Sequence, residues 1–159
     1  MFRAIVPTDF ETLLKLNNEH AIQTSLLDHS RLERMVSIAF FSRTIESKQA
    51  LLLAFDQSSD YDSINFRWFR ERYPRFIYID RIIVAASERG NGIARSMYAD
   101  LFVEARVRGQ DVITAEVNHL PPNPGSDAFH AALGFAEVGR GSPVPGKEVR
   151  YLIKTLHHA

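Results

Sequence analysis

The sequence predicts a mixed α/β or α+β fold, one sheet with helices packed on it, in a single domain spanning residues 1–159. Three observations carry this. Strand-like apolar runs outnumber helical ones. The segment from Ile93 to Ala105 repeats apolar residues every four positions, as an amphipathic helix does. A glycine-bearing turn, "SERGNGIARSMY" at 87–98, joins the strand-like run "YIDRIIVAA" to that helix. With 45% hydrophobic residues among 159, the chain has the material for a core, which excludes a disordered chain.

The elements follow in order. "FRAIV" reads as a short strand closed by Pro7. "TDFETLLKLNNEH" reads as a helix capped by Thr8 or Asp9, with Leu13, Leu14 and Leu16 on its apolar face. "SRLERMVSIAF" is a second helix leading into "FFSRTIE". "QALLLAFD" is a buried strand, and "QSSDYDS" a polar loop. "INFRWFRERYPRF", rich in aromatic residues and arginine, fits no single element. "FIYIDRIIVAA" is a strand, and its alternation places Tyr78, Asp80, Ile82 and Val84 on one face. Ile93, Met97, Leu101 and Ala105, with Phe102, mark the long helix that Gly109 ends. "DVITAEVN" is another strand and "HLPPNPG" a stiff loop. Ser126 is placed to cap a short helix, "DAFHAAL", ended by Gly134. "FAEVGR" and "KEVRYLIKTL" form a closing hairpin around "GSPVPG". No internal repeat is present.

Charge and composition narrow the function. Lys and Arg number 19, as do Asp and Glu, so the formal charge is zero. A neutral chain lacks the broad basic field of a nucleic-acid binder. There is no cysteine, hence no disulfide and no thiol nucleophile, as suits a reducing compartment. No apolar run approaches the roughly 18 to 20 residues of a membrane span. The start, "MFRAIVPTDFET", does not read as a secretory signal. The expectation is a cytoplasmic protein bound to neither nucleic acid nor membrane. His157 and His158 read as a frayed tail, so no metal site is expected.

The glycine turn has three phosphate-binding templates to meet. A P-loop string is absent. A dinucleotide fingerprint starts at Gly90-Asn91-Gly92 but meets Arg95 where a small residue is wanted. The pattern R/Q-x-x-G-x-G/A is met in full by Arg89, Gly92 and Ala94. Physically, glycines at 90 and 92 permit a tight turn that exposes backbone N–H donors, and a helix starting near Gly92 adds its positive end. Arg89 and Arg95 supply local charge. The plain alternative is an ordinary turn capping a helix.

Here the chain resembles the GNAT superfamily, the acetyl-CoA-dependent N-acetyltransferases. Val84 and Arg89 have the family's spacing of strand-end valine to arginine. Asn123, Ser126, His130, Gly134 and Phe135 fall on a second family element, N-x-x-[AS]-x-x-x-Y-x-x-x-G-F, with histidine where tyrosine is usual. The match covers about residues 76 to 140. The stretch "NPGSDAFHAALGF" also looks like a bacterial subgroup of predicted acetyltransferases whose substrates are unassigned.

The resemblance implies a GNAT fold: a central, twisted, mostly antiparallel mixed sheet of six to seven strands flanked by about four helices. It implies transfer of acetyl from acetyl-CoA to a primary amine of a small molecule, amino acid or peptide, by direct attack in a ternary complex. The alternative is a GNAT-fold module that binds acyl-CoA without catalysis, as a sensor. The cofactor side would comprise the main chain of Ile82, Ile83 and Val84, the turn Arg89, Gly90, Asn91, Gly92, Ile93, Ala94 and Arg95, and then Asn123, Ser126 and His130. Asp80 and Glu116 are the candidates for accepting the amine's proton. Asp80 could instead simply pair with Arg81. His130 is the candidate acid or donor for the leaving thiolate, or a structural residue filling the tyrosine's place. Asn123 could be a turn residue and Ser126 a cap. In the segment 65–78, Trp68, Tyr73 and Tyr78 are candidates for acceptor binding, beside Asn65, Phe69, Arg70 and Arg72. The same residues also read as a packed aromatic cluster. No metal is implied, and since many relatives pair, a homodimer is left open.

Overall fold

The computed structural model describes residues 2–22 and 24–157, so His158 lies outside the described residues. Seven strands form one sheet: β1 (Phe2–Ala4), β2 (Phe41–Ile45), β3 (Ala50–Asp56), β4 (Phe76–Val84), β5 (Val112–Leu120), β6 (Ala136–Val144) and β7 (Lys147–Thr155). Their order is β1-β2-β3-β4-β5-β7-β6. Only β4 and β5 run parallel; every other neighbouring pair is antiparallel.

Among the described residues five α-helices cover the sheet: α1 (Phe10–Glu19), α2 (His29–Ile38), α3 (Ile64–Arg70), α4 (Ile93–Val107) and α5 (Pro124–Ala132). This is one more than the expected four, and the addition is α3, from the segment that the pattern left unassigned. Ser63 starts it, its Oγ accepting from Phe66 N at 3.3 Å. Phe66 and Phe69 are fully buried, so tertiary packing overrides an aromatic-rich sequence of modest helix propensity. α1, α2 and α3 lie on one face, through Phe10, Leu13, Leu16, Leu32, Met35, Phe66 and Phe69. α4 lies on the other with Met97, Tyr98, Leu101, Phe102 and Ala105, and Phe129 and Leu133 of α5 pack beside them. Full burial of each such side chain contributes about 1.5–3 kcal/mol.

The caps of α1 and α5 differ from expectation, and α2 has a cap that the sequence reading does not name. Asp28 caps α2, accepting from Arg31 N at 2.8 Å. At α5 the cap is Asn123, whose Oδ1 accepts from Ser126 N at 3.3 Å; Ser126 lies inside the helix because Pro124 begins it. Asp9 precedes α1 but makes no cap bond to it. Its carboxylate instead accepts from Val6 N at 2.9 Å and from both terminal nitrogens of Arg3, at 2.8 and 2.9 Å.

Two irregularities shape the middle of the sheet. The β4–β5 pairing runs only from Phe76↔Val112 to Ile79↔Ala115. Beyond it β4 continues beside β3 to Val84, and β5 beside β7 to Leu120, so the two strands part like the arms of a fork. The second irregularity is a bulge. Leu53 pairs with Arg81 and Ala54 with Ile79, which leaves Asp80 without a partner on β3. An extra residue resets the two-residue alternation. The expected single face for Tyr78, Asp80, Ile82 and Val84 is therefore corrected. Tyr78 and Ile83 pack with the α1–α3 side, while Ile82 and Val84 pack with the α4 side.

Candidate active site

The fork opens a cleft of about 310 Å³ between the arms. Asp80 and Glu116, each one residue past the last parallel pair, line it. Main-chain atoms of β4 after Ile79 have no strand partner on the β5 side among the described residues, so the edge carrying Ile82, Ile83 and Val84 is open to an extended ligand. One carbonyl on it is in use: Arg89 Nε donates to Val84 O at 3.2 Å.

The glycine turn lies at the end of that edge. Gly90 and Gly92 have φ of +84° and +70°, a region that side chains disfavour. A Cβ at either would meet nothing within 4 Å, so conformation, not crowding, requires the glycines. Gly92 starts the 15-residue α4, and no side chain caps it. The first-turn N–H groups, around Ile93, Ala94 and Arg95, therefore lack intrahelical partners and present a positive end to the turn. Asn91 bonds back to Glu88 O at 3.3 Å, and Arg95 is exposed.

The two carboxylates sit in unlike settings. Asp80 accepts from Tyr61 Oη at 2.5 Å and from Arg81 Nε at 2.6 Å. Arg81 is itself buried, and donates to Asn17 Oδ1 at 2.7 Å and to Ser25 Oγ at 3.3 Å. Both Asp80 oxygens are thus engaged. Glu116 Oε1 accepts from Tyr78 Oη at 2.8 Å and Asn65 Nδ2 at 3.1 Å. Asn65 in turn accepts from Tyr151 Oη at 2.8 Å. Glu116 Oε2 is buried and has no hydrogen-bond partner among the described residues. Burial first, and the nearby Asp80 charge second, push the Glu116 carboxyl up to about 7, against the pull of its two donors. A carboxyl poised there can exchange a proton at neutral pH.

Across the cleft stand Tyr98 and His130, both buried. His130 Nδ1 lies 2.8 Å from Ser126 O, and Nε2 lies 2.9 Å from Tyr98 Oη. A carbonyl only accepts, so Nδ1 carries the hydrogen, Nε2 is a lone pair and Tyr98 donates to it. Burial lowers the His130 pKa, which keeps the ring neutral.

Residues 58–135 match the family model described as the acetyltransferase (GNAT) family. That stretch carries a GNAT acetyltransferase domain. The chain is accordingly an acyltransferase that takes acetyl from acetyl-CoA. Among curated proteins none matches it in sequence. Several solved structures share the GNAT fold. Ard1 from Thermoplasma volcanium is 11% identical, over 99% of this chain and 98% of that one, with a TM-score of 0.78. A ribosomal-protein-alanine N-acetyltransferase from Brucella melitensis is 23% identical over 98% and 99%, at 0.71. The yncA protein of Salmonella typhimurium, solved with its cofactor acetyl-CoA, is 16% identical over 100% and 95%, at 0.71. At these identities the likeness establishes the fold.

On this GNAT frame, Asn123, Ser126 and His130 of α5 line the same cleft as Asp80, Glu116 and Tyr78. Trp68 and Tyr73 are not among its lining residues. Trp68 stacks on Tyr151 at 4.2 Å under the Arg72 guanidinium, 3.8 Å from the ring. Gly139 lets the indole lie that close, since a Cβ there would come within 2.5 Å of the ring. Tyr73 packs against Phe69. These two belong to the aromatic cluster that supports the site from behind. Asn65, which the motif reading names without a role, lines the cleft, and among the lining residues it passes over are Tyr61 and Tyr98. Tyr98 sits one position from Met97 in a core-like apolar repeat, which masks its hydroxyl. No group of three or more metal-ligating side chains that could hold an ion occurs among the described residues, and no helix there is long and apolar enough to cross a membrane.

Proposed function

We propose that this GNAT protein is an N-acetyltransferase that passes the acetyl group of acetyl-CoA directly to a primary amine, in a ternary complex formed at the fork. The acceptor class is a small molecule, an amino acid or a peptide amine. The carrying observation is Glu116: a carboxyl held near neutrality, with one buried oxygen lacking a donor, facing the cleft.

The size of the task explains why such a group is useful. At pH 7 a lysine-like amine of pKa about 10.4 is neutral in only about 1 part in 2,500, which adds about 4.6 kcal/mol to the barrier. An α-amino group of pKa about 8 adds about 1.4 kcal/mol. Glu116 Oε2 accepts the amine's proton, while Tyr78 and Asn65 hold the other oxygen. Asp80, fixed by Arg81 and Tyr61, lends negative charge to the mouth that an ammonium ion enters. The thioester arm lies along the open β4 edge from Ile82 to Val84. Its pyrophosphate rests on the turn from Arg89 to Arg95, with Asn123 and Ser126 beside the arm. That one of the similar structures bears the name of a ribosomal-protein-alanine N-acetyltransferase favours including peptide amines in the acceptor set.

The test is thiol release from acetyl-CoA with the full chain and a panel of amines: amino acids, a polyamine, an N-terminal alanine peptide and a lysine peptide. Release with at least one class is expected. Tight acetyl-CoA binding with no release for any amine would establish the non-catalytic acyl-CoA sensor instead. Gly92→Glu should abolish acetyl-CoA binding, and retained binding would remove the turn from the cradle.

A further inference from the structure

The residue that the second family motif puts opposite the leaving sulfur is histidine, and the geometry leaves that histidine nothing to give. Its one N–H is committed to the Ser126 carbonyl at 2.8 Å. Its other nitrogen is an acceptor, filled by Tyr98 Oη at 2.9 Å. Neutral imidazole has no second hydrogen. The one movable polar hydrogen of the pair belongs to the phenol. Tyr98 and His130 both line the cleft, on the side of the sheet opposite Glu116's donors Tyr78 and Asn65.

We infer that Tyr98, held by His130, is the hydrogen-bond donor to the sulfur as it leaves, with His130 as a positioning residue. This rests on the transferase reading. The bonds balance without a further reactant. The amine nitrogen bonds the carbonyl carbon and its surplus proton passes to Glu116. The C–S bond breaks as the carbonyl re-forms, and the electron pair stays on sulfur. Rotation about the Tyr98 Cζ–Oη bond then turns the hydrogen from His130 Nε2 to the thiolate. Tyr98 keeps its proton; the thiolate takes one later from water, and Glu116 returns its own to solvent.

Timing is the advantage of the arrangement. A thioester sulfur is a weak acceptor and cannot draw the hydrogen from imidazole. A thiolate can, because a charge-assisted bond is roughly twice as strong as a neutral one. The interaction therefore forms only as charge develops on sulfur, which is the kind that raises kcat. Burial, the first cause, with the Glu116 charge, also raises the Tyr98 pKa, which keeps the phenol protonated throughout.

The ionisation of bound CoA itself tests this, without any acceptor. The thiolate's ultraviolet absorbance is followed against pH in the complex of the full chain with CoA. In the unaltered protein the bound thiol should titrate below the ordinary thiol value of about 8.5. Tyr98→Phe, which keeps the ring, should raise it by about one unit, a tenfold shift. It should also lower kcat ten- to a hundredfold, with the KM for acetyl-CoA little changed. His130→Phe leaves the donor in place, so its bound thiol should stay at or below the unaltered protein's value. The reverse pattern, a rise with His130→Phe and none with Tyr98→Phe, overturns the inference. A CoA that binds both proteins with the same thiol pKa overturns it too, and leaves the transferase reading standing. A chain that binds no CoA at all overturns both.

Discussion

Asp80 and Glu116 stand at the same point on opposite arms of one fork, yet one is saturated and the other is not. Asp80 accepts from Tyr61 and the buried Arg81, so each oxygen is spoken for. Glu116 has two neutral donors on one oxygen and none on the other. The difference teaches that nearness to the cleft does not make a carboxylate a base. An unfilled acceptor in a dry setting does, since burial without a cation raises its affinity for a proton.

Two substitutions should separate these roles most widely. Glu116→Gln keeps the shape and both donors but cannot accept a proton. Its kcat should fall by about 10²–10⁴, with acetyl-CoA binding retained, as measured by thiol release and calorimetry. A kcat within threefold of the unaltered enzyme would return the base to Asp80 or to a water chain. Asp80→Asn should act chiefly on folding. It strands the Arg81 guanidinium, and breaking a buried pair costs about 3–5 kcal/mol. Denaturant unfolding checks this, and a second change, Arg81→Met, should recover part of the loss.

These opposing settings were only partly legible in the sequence. The glycine turn was readable because its causes are local: positive φ at Gly90 and Gly92 and the start of α4 lie within a few residues. The candidate carboxylates were named too, since a charge amid apolar strand residues stands out. Their ranking was not, because it depends on Asn65, 51 positions from Glu116, and on Tyr61, 19 from Asp80. The face of Ile82 and Val84 is not legible from alternation, because the bulge at Asp80 is a property of pairing with β3, which no periodicity in β4 records. α3 stayed unassigned because its aromatic residues are helical only by virtue of the core they fill. His130 stands out as the odd residue in its motif, but its partner Tyr98 is masked by an apolar repeat.

The pH dependence sharpens the comparison at a smaller scale. The base must be ionised to act, so kcat/KM should rise with pH through about 7 and then level. Glu116→Gln should lack that limb. Stability runs the other way at this residue. Its folded pKa is raised, so the folded chain holds the proton longer than the unfolded one. Stability therefore declines from the ordinary carboxyl range near 4.5 up to about 7, and the penalty is complete above that. Asp9 shows the opposite sign: the bonds from Arg3 foremost, with Val6 N, lower it to about 2. Its stabilisation is whole above the ordinary aspartate value of 3.8 and is lost as pH falls through about 2. Unfolding midpoints from pH 2 to 8, with Asp9→Asn and Glu116→Gln, separate the two contributions.

The smallest effect is the most discriminating. Tyr78 donates to Glu116 Oε1, and that bond favours the charged carboxylate. Tyr78→Phe removes the donor and keeps the buried ring, so the lost bond is a single neutral-to-charged one. A hydrogen bond to a charged group contributes about 1.5–3 kcal/mol, though Asn65 remains and takes up part of the load. The rate limb should therefore move upward from about 7 by roughly half a unit to one unit, while the plateau rate changes little. Asp80 shares no hydrogen bond with Tyr78, its donors being Tyr61 and Arg81. A limb that ignores Tyr78→Phe but moves with Tyr61→Phe would thus assign the proton to the saturated arm of the fork and reverse the comparison. A limb that moves with Tyr78 alone ties the chemistry to the arm with the empty oxygen.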